Sequence, residues 1–341
     1  MKLTLNDLDR RIWESELEKF VPMTVFDTHT HVYDWRMDSP DVKNDAPPDP
    51  GHGRFPLTDR STLQAIDAVL MPGRTVHRIS FPCPLQPAPP AQTNAFAARQ
   101  ADGDPQSAIL MHVRPDMTPG TIDAEIKQHG FRGFKPYRMH SVTGDVAACR
   151  ITDYLPEPQI EMADAHGLMV MLHLSRREAI GDKHNLDDLE RLQARFPRVQ
   201  WILAHCARSY YDGPLLAAAD RLKEMPNLWY EISSVCDSDA MSVLLEIAGP
   251  DRVMYGSDDM PVGSTRGKYI SFGSSWTELN ERNHGFKLDH CDGRMTFVRY
   301  ESLRAFRRAC RRQGYGTREI EKLFAGNAQT LLAQTGHPVP A

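Results

Sequence analysis

The chain has 341 residues, more than the roughly 250 of a plain eight-fold β/α barrel, and carries 40 Lys and Arg against 45 Asp and Glu for a formal charge of −5. No polybasic run favours nucleic acid or an anionic lipid surface, and no stretch approaches the ~18 apolar residues of a membrane span, so neither partner is expected. The N-terminal MKLTLNDLDRRIWESELEKF lacks the apolar core of a signal peptide, and the six cysteines show no Cys-x-x-Cys spacing. The expectation is a cytoplasmic protein with buried thiols, free of a disulfide framework or a thiolate zinc site.

A helix over about 5–20 leads the chain. The first strand, near 25–31, reads VFDTHTH. Alternate side chains of a strand share a face, so Asp27, His29 and His31 are expected to point one way. A lone His-x-His is equally compatible with imidazoles satisfied by backbone carbonyls, so the remaining elements decide between the two. Further strands are predicted near 75–81, 108–113, 131–135, 168–173, 200–205, 227–232 and 252–257, with helices over 121–128, 160–166 and 186–196 among the segments between them. Eight strands alternating with helices imply parallel pairing and an α/β fold, a (β/α)8 TIM barrel in one domain over 1–341.

Four of the later strands end on a polar residue. Lys135 closes the apolar run in FRGFKPYR, His173 that in LMVMLHLS, His205 that in VQWILAHCAR and Asp258 that in DRVMYGSDD. Singly, each has a structural explanation: a lysine reaching solvent, a satisfied core histidine, a capping carboxylate. Together they fall at the C-terminal face, where barrel active sites lie. With His29 and His31 they supply four imidazoles, a lysine and a carboxylate. That set suits a borderline divalent cation such as zinc, with manganese, iron or cobalt as alternatives. Such a cation, held by neutral imidazoles, lowers the pKa of a bound water and polarises a carbonyl, which favours hydrolysis. Asp258 is the expected general base, and His205, where it is not a ligand, the expected oxyanion stabiliser.

Arg138, His140, Arg176, Arg177, Lys183 and Arg208 follow strand ends, and an arginine fork matches a carboxylate or phosphate, so a small anionic substrate is expected. Three segments interrupt the strand–helix rhythm as long loop insertions, 36–60, 82–93 and 260–295. The last carries Arg266, Lys268, Tyr269, Phe272 and Trp276 among glycines. A lid over the site, with Trp276 against substrate, and a homo-oligomerisation arm are both open readings.

The ordered motifs GFRGFK, NLWYEIS, GPDRVMYGSDDMP and LFAGNAQTLL, with the strand-end residues, resemble the amidohydrolase superfamily. The resemblance points to its amidohydrolase-related group, which includes aminocarboxymuconate-semialdehyde-decarboxylase-like enzymes and lactonases. It implies that His29, His31, His173 and Asp258 surround the main metal. By the same resemblance His205 is either a second-metal ligand or a catalytic histidine, and Lys135 either a carboxylated bridge between two ions or an unmodified lysine beside one. Asp27 matches a position often filled by an acidic residue near the site. The implied activity is metal-dependent hydrolysis of a lactone, ester or amide in a small carboxylated molecule. Nonoxidative decarboxylation of an aromatic or unsaturated acid is the alternative, isomerisation or hydration a weaker third, and a non-catalytic metal-binding scaffold the contrasting class.

Overall fold

Alternating apolar side chains give each strand two faces, and this alternation organises the computed structural model, which describes residues 3–37, 55–86, 88–281, 283–285 and 287–336. The strands of the central sheet are β1 (Thr24–Asp34), β2 (Leu57–Thr58), β3 (Thr75–Pro82), β4 (Ala108–Val113), β5 (Gly133–Pro136), β6 (Met169–Leu172), β7 (Gln200–Leu203), β8 (Trp229–Glu231) and β9 (Val253–Met254), in the order β2-β1-β3-β4-β5-β6-β7-β8-β9. Only β2 is antiparallel, pairing with Tyr33 and Asp34 at the end of β1; the other eight run parallel.

The chain beyond β9 returns to β1 and closes the barrel. Thr28 N donates to Tyr255 O at 3.0 Å, Asp258 N donates to His29 O at 2.9 Å, and Thr30 forms a parallel bridge with Asp259. The predicted barrel is therefore the observed one, with strands shorter than the apolar runs that announced them. The expected strand over 200–205 stops at Leu203, where the backbone turns left-handed from His205, and that over 252–257 is only Val253–Met254.

Two cores follow from the pleat. Met169, Met171, Ile202, Trp229 and Met254 join Phe26, Ile79, Phe81 and Leu110 in one cluster, closed by Leu331 and Leu332 of the helix Asn327–Gln334. Val170, Leu172, Trp201, Leu203 and Tyr230, on the alternate positions, pack instead with the surrounding helices. The first set is the barrel interior and the second the layer between strands and helices. By the same alternation Lys135 and Glu231, next to outward-facing Phe134 and Tyr230, point inward near the ends of their strands.

The leading helix spans Asp7–Ile12 and continues as a π-helical turn to Leu17, its start fixed by a capping box between Asn6 and Asp9. The three helices singled out from the sequence are Pro119–His129, Glu157–His166 and Lys183–Arg195. Of the expected loop 36–60, residues 38–54 lie outside the described residues, as does Pro87 in 82–93, where the helix Pro90–Ala98 already begins. The 260–295 insertion, of which Arg282 and Phe286 lie outside the described residues, contains an antiparallel hairpin, β10 (Gly267–Phe272) with β11 (Ser275–Asn280). Five of the described cysteines are buried as expected, whereas Cys291, in that insertion, is exposed. Among the described residues no helix is long and apolar enough to cross a membrane.

Candidate active site

The left-handed backbone just past β7, β8 and β9 carries much of the polar machinery. His205, Cys206, Ala207 and Arg208 have φ between 50 and 61°, Ser234 has φ 63° and Asp258 φ 60°. None is glycine. An L-residue pays about 1–2 kcal/mol in this region, so the conformation persists only where surrounding contacts dictate it. Here they do. His205 N donates to Glu231 Oε1 at 2.8 Å, Asp258 N to His29 O, and Ser234 Oγ to Asp258 Oδ2.

His29, His31 and Asp258 place ligand-type atoms within 4.8 Å of one another, and so do His29, His205 and Glu231. His29 Nε2 lies 3.4 Å and His31 Nε2 3.2 Å from Asp258 Oδ1. His173 enters neither group. Its ring is 5.1 Å from that of His205, and its Nδ1 is buried without a hydrogen-bond partner among the described residues.

Hydrogen bonding fixes the imidazole protons. Glu231 Oε1 receives His29 Nδ1–H at 2.9 Å, and a carboxylate only accepts, so His29 turns an Nε2 lone pair toward Asp258. The Ser233 carbonyl, 3.1 Å from His205 Nδ1, likewise places that proton on Nδ1 and leaves His205 Nε2 free. An imidazole lone pair and a carboxylate oxygen thus face each other in a buried site. Burial, reinforced by Lys135, holds His29 well below its ordinary pKa and disfavours a second proton. Burial works against ionised Asp258, but its electrostatic interaction with His29 and its hydrogen bond with His31 outweigh it and lower its pKa. Two acceptors with no proton between them are the donor set a divalent cation requires, so the residues present fit the metal.

Lys135 is buried with Nζ unpartnered among the described residues, 4.9 Å from the Phe81 ring centre and 5.4 Å from that of Tyr137. Burial lowers its pKa to about 8 despite the charges of Glu231 and Asp258. Asp27 departs from the expectation. A bulge between Asp27 and Thr30 breaks the alternation that would put it on the face of His29 and His31, and Asp27 Oδ1 accepts Ser257 N at 2.8 Å and His29 N at 3.3 Å, beside the site but outside both ligand groups.

The basic residues divide. The charges of Arg138, Lys135 and Arg208 all act on His173, and burial, with Arg138 next, brings Arg208 to about 10. Arg176 is paired with Asp182 at 2.8 Å and Lys183 with Asp187 at 2.6 Å, while Arg177 is exposed. His140 packs on His112, ring centres 5.1 Å apart, outside both ligand groups. In the insertion, Arg266 is held by Asp9 and Lys268 by Glu301 at 3.3 Å, so these two anchor the hairpin base. Trp276 does approach the site. It stacks on Tyr210 at 4.0 Å, and Tyr210 stacks on His205 at 6.1 Å, with Tyr269 4.8 Å from Tyr210; Phe272 is exposed at the tip.

Sequence reasoning missed Glu231 and Tyr210. Glu231 had a signal, since it ends the apolar run LWYE as Lys135 ends its own. Tyr210 had none, because a stacking partner on a distant hairpin leaves no local pattern.

No curated protein matches the chain. Among solved structures it is similar to an amidohydrolase from Burkholderia multivorans with bound HEPES, at 16% identity and TM-score 0.58 over 92% of this chain and 100% of that one. It is similar to a Pseudomonas putida protein described as a 2-pyrone-4,6-dicarboxylic acid hydrolase, at 15% and 0.56 over 94% and 100%. It is also similar to a manganese-bound 5-carboxyvanillate decarboxylase from Novosphingobium aromaticivorans, at 13% and 0.54 over 97% and 99%. These likenesses establish the shared fold. The amidohydrolase family model matches residues 26–333, from the strand of His29 and His31 through the last helix, and the chain belongs to the amidohydrolase family.

Proposed function

We propose that the protein is a metal-dependent hydrolase that cleaves a lactone, ester or amide bond in a small anionic substrate. The observation that carries this reading is the facing of acceptors, His29 Nε2 against Asp258 Oδ1 at 3.4 Å with His31 Nε2 beside them. His29, His31 and Asp258 would hold the ion, zinc by ligand preference, with His173 and His205 adjacent. When bound, the cation lowers the pKa of a coordinated water and draws electron density from the scissile carbonyl.

The protein's own groups do the rest. Asp258, anchored through Oδ2 by Ser234, takes the proton released on attack and returns it to the leaving group. Its depressed pKa suits passing that proton on rather than storing it. His205, with its Nδ1 proton committed to the Ser233 carbonyl, turns Nε2 to the site as ligand or proton acceptor, and the oxyanion role expected of it requires a second proton on that nitrogen. Lys135, Arg138 and Arg208 supply the positive field that orients an anionic group beside His173. Trp276, through Tyr210, covers the His205 side and excludes water.

Metal content of the purified protein, measured with a panel of lactones, esters, amides and aromatic carboxylic acids, tests the proposal. At least one divalent ion per chain and turnover of a lactone, ester or amide are expected. Carbon dioxide release from an aromatic acid with no hydrolysis would replace the reading by decarboxylation, and absence of metal uptake would overturn it. Adding bicarbonate separates one ion from two, because a carboxylated Lys135 would raise the metal stoichiometry.

A further inference from the structure

We infer that Glu231 is the positioning residue of the site, one buried carboxylate that sets both the tautomer of His29 and the placement of His205. The inference rests on the cation site proposed above and concerns a residue outside the expected ligand set. Glu231 is fully buried, and its two oxygens receive three N–H donors: His29 Nδ1 at 2.9 Å, the backbone of His205 at 2.8 Å and the backbone of Ser233 at 2.7 Å. Those donors occupy the carboxylate. Both lone pairs of Oε1, the oxygen turned toward His29, are taken by His29 Nδ1 and His205 N, so a cation drawn to that oxygen would have to displace one of them, and Glu231 acts on the ion through the histidine.

The same bonds explain the left-handed turn. A strained His205 backbone whose N–H is taken by a buried charge gains a charge-assisted bond that an exposed loop would lack. Space for the carboxylate is provided by Gly256, where an added Cβ would fall 2.7 Å from Glu231 Oε2 and 3.0 Å from His29 Cβ. Gly256 is therefore constrained by close approach and not by its turn. Two variants follow. Glu231→Gln keeps the shape but turns one oxygen into an N–H2 group, which opposes one of the three donors. Gly256→Ala leaves Glu231 intact and pushes it.

The experiment uses full-length protein with 15N-labelled histidine, freed of metal. Long-range 1H–15N spectra report which nitrogen of His29 is protonated, the signal being assigned by its loss in His29→Gln. Zinc affinity is read in parallel by competition with a chromophoric chelator. A single Nδ1–H form is expected in the wild type and a mixture in Glu231→Gln, with zinc affinity falling about 10–100-fold, as when carboxylate partners of ligand histidines are removed. Gly256→Ala should move both readings the same way and Glu231→Asp should restore part of the loss. An unchanged His29 signal with unchanged zinc affinity in Glu231→Gln overturns the inference. If the wild type takes up no zinc, the hydrolase reading fails while the His29 spectra still decide the role of Glu231. If Glu231→Gln does not fold, Gly256→Ala and Glu231→Asp carry both measurements.

Discussion

Two buried polar clusters lie side by side in the barrel and differ in how their charges are answered. In one, Arg299 donates to Asp67 at 2.7 Å and to Asp259, Arg78 pairs with Asp67, and Ser264 Oγ adds a bond to Asp259 at 2.8 Å. In the other, His29 and Asp258 set acceptor against acceptor, Lys135 Nζ and His173 Nδ1 have no hydrogen-bond partner among the described residues, and three strand ends are left-handed. One residue separates them along the chain: Asp259 belongs to the paired cluster and Asp258 to the unanswered one. A buried charge that has found its opposite is holding elements together, here the chain after β9, the helix Arg60–Leu70 and the helix Val298–Arg312. A buried group that has not is kept for something that binds.

The largest effect that sharpens this contrast is expected from Asp258→Asn. Turnover should fall on the order of 10³-fold or more while the thermal midpoint moves little, because the side chain serves chemistry and few partners depend on it. A variant that unfolds, or that keeps most of its rate, would erase the distinction. On the paired side, Arg299→Met should lower stability by about 3–5 kcal/mol in denaturant titrations, since it strands Asp67 and Asp259 in the interior. A loss under ~1 kcal/mol, as for an exposed ion pair, would show the cluster to be dispensable.

His112, a further buried group with an unpartnered nitrogen, extends the test to pH. It points inward on β4, with Nε2 unpartnered among the described residues, and burial, aided by the charges of His140 and Arg114, lowers its pKa to about 3. The unfolded imidazole titrates near ~6.5, so below that pH the unfolded chain binds the proton that the native state refuses. Stability from this residue is complete above ~6.5 and is lost progressively as pH falls toward the folded value, about 2 kcal/mol between pH 7 and 5. Urea midpoints across that range should drop more steeply in the wild type than in His112→Gln, and parallel curves would reject the assignment.

The smallest effect concerns the hairpin. Trp276→Ala removes one layer of the Trp276–Tyr210–His205 stack and should raise KM about 10-fold, the ~1.4 kcal/mol expected of an aromatic contact, with solution mass unchanged. Unchanged kinetics with an altered oligomeric state would make the hairpin an association arm instead of a lid.

The barrel was legible because its signals are local. Apolar runs of four to eight residues, separated by capped helices, specify strand and helix whatever their neighbours, and a polar residue that ends such a run must face the mouth. Lys135, His173, His205 and Asp258 were found by that rule, His29 and His31 by the alternation of their strand, and Glu231, in LWYE, obeys the first rule equally. What only the tertiary structure decided depends on partners far away in the chain. The bulge after Asp27 is set by pairing with β3, and it turns a carboxylate expected on the face of His29 and His31 into a backbone acceptor for Ser257. Arg266 and Lys268 look like free charges until Asp9 and Glu301 arrive from the two ends of the chain to neutralise them. The proton on His29 is placed by a carboxylate 202 residues away. Periodicity encodes which way a side chain points, because backbone geometry repeats residue by residue; it carries no information about which distant atom a hydrogen bond will find, and in this site that atom fixes the chemistry.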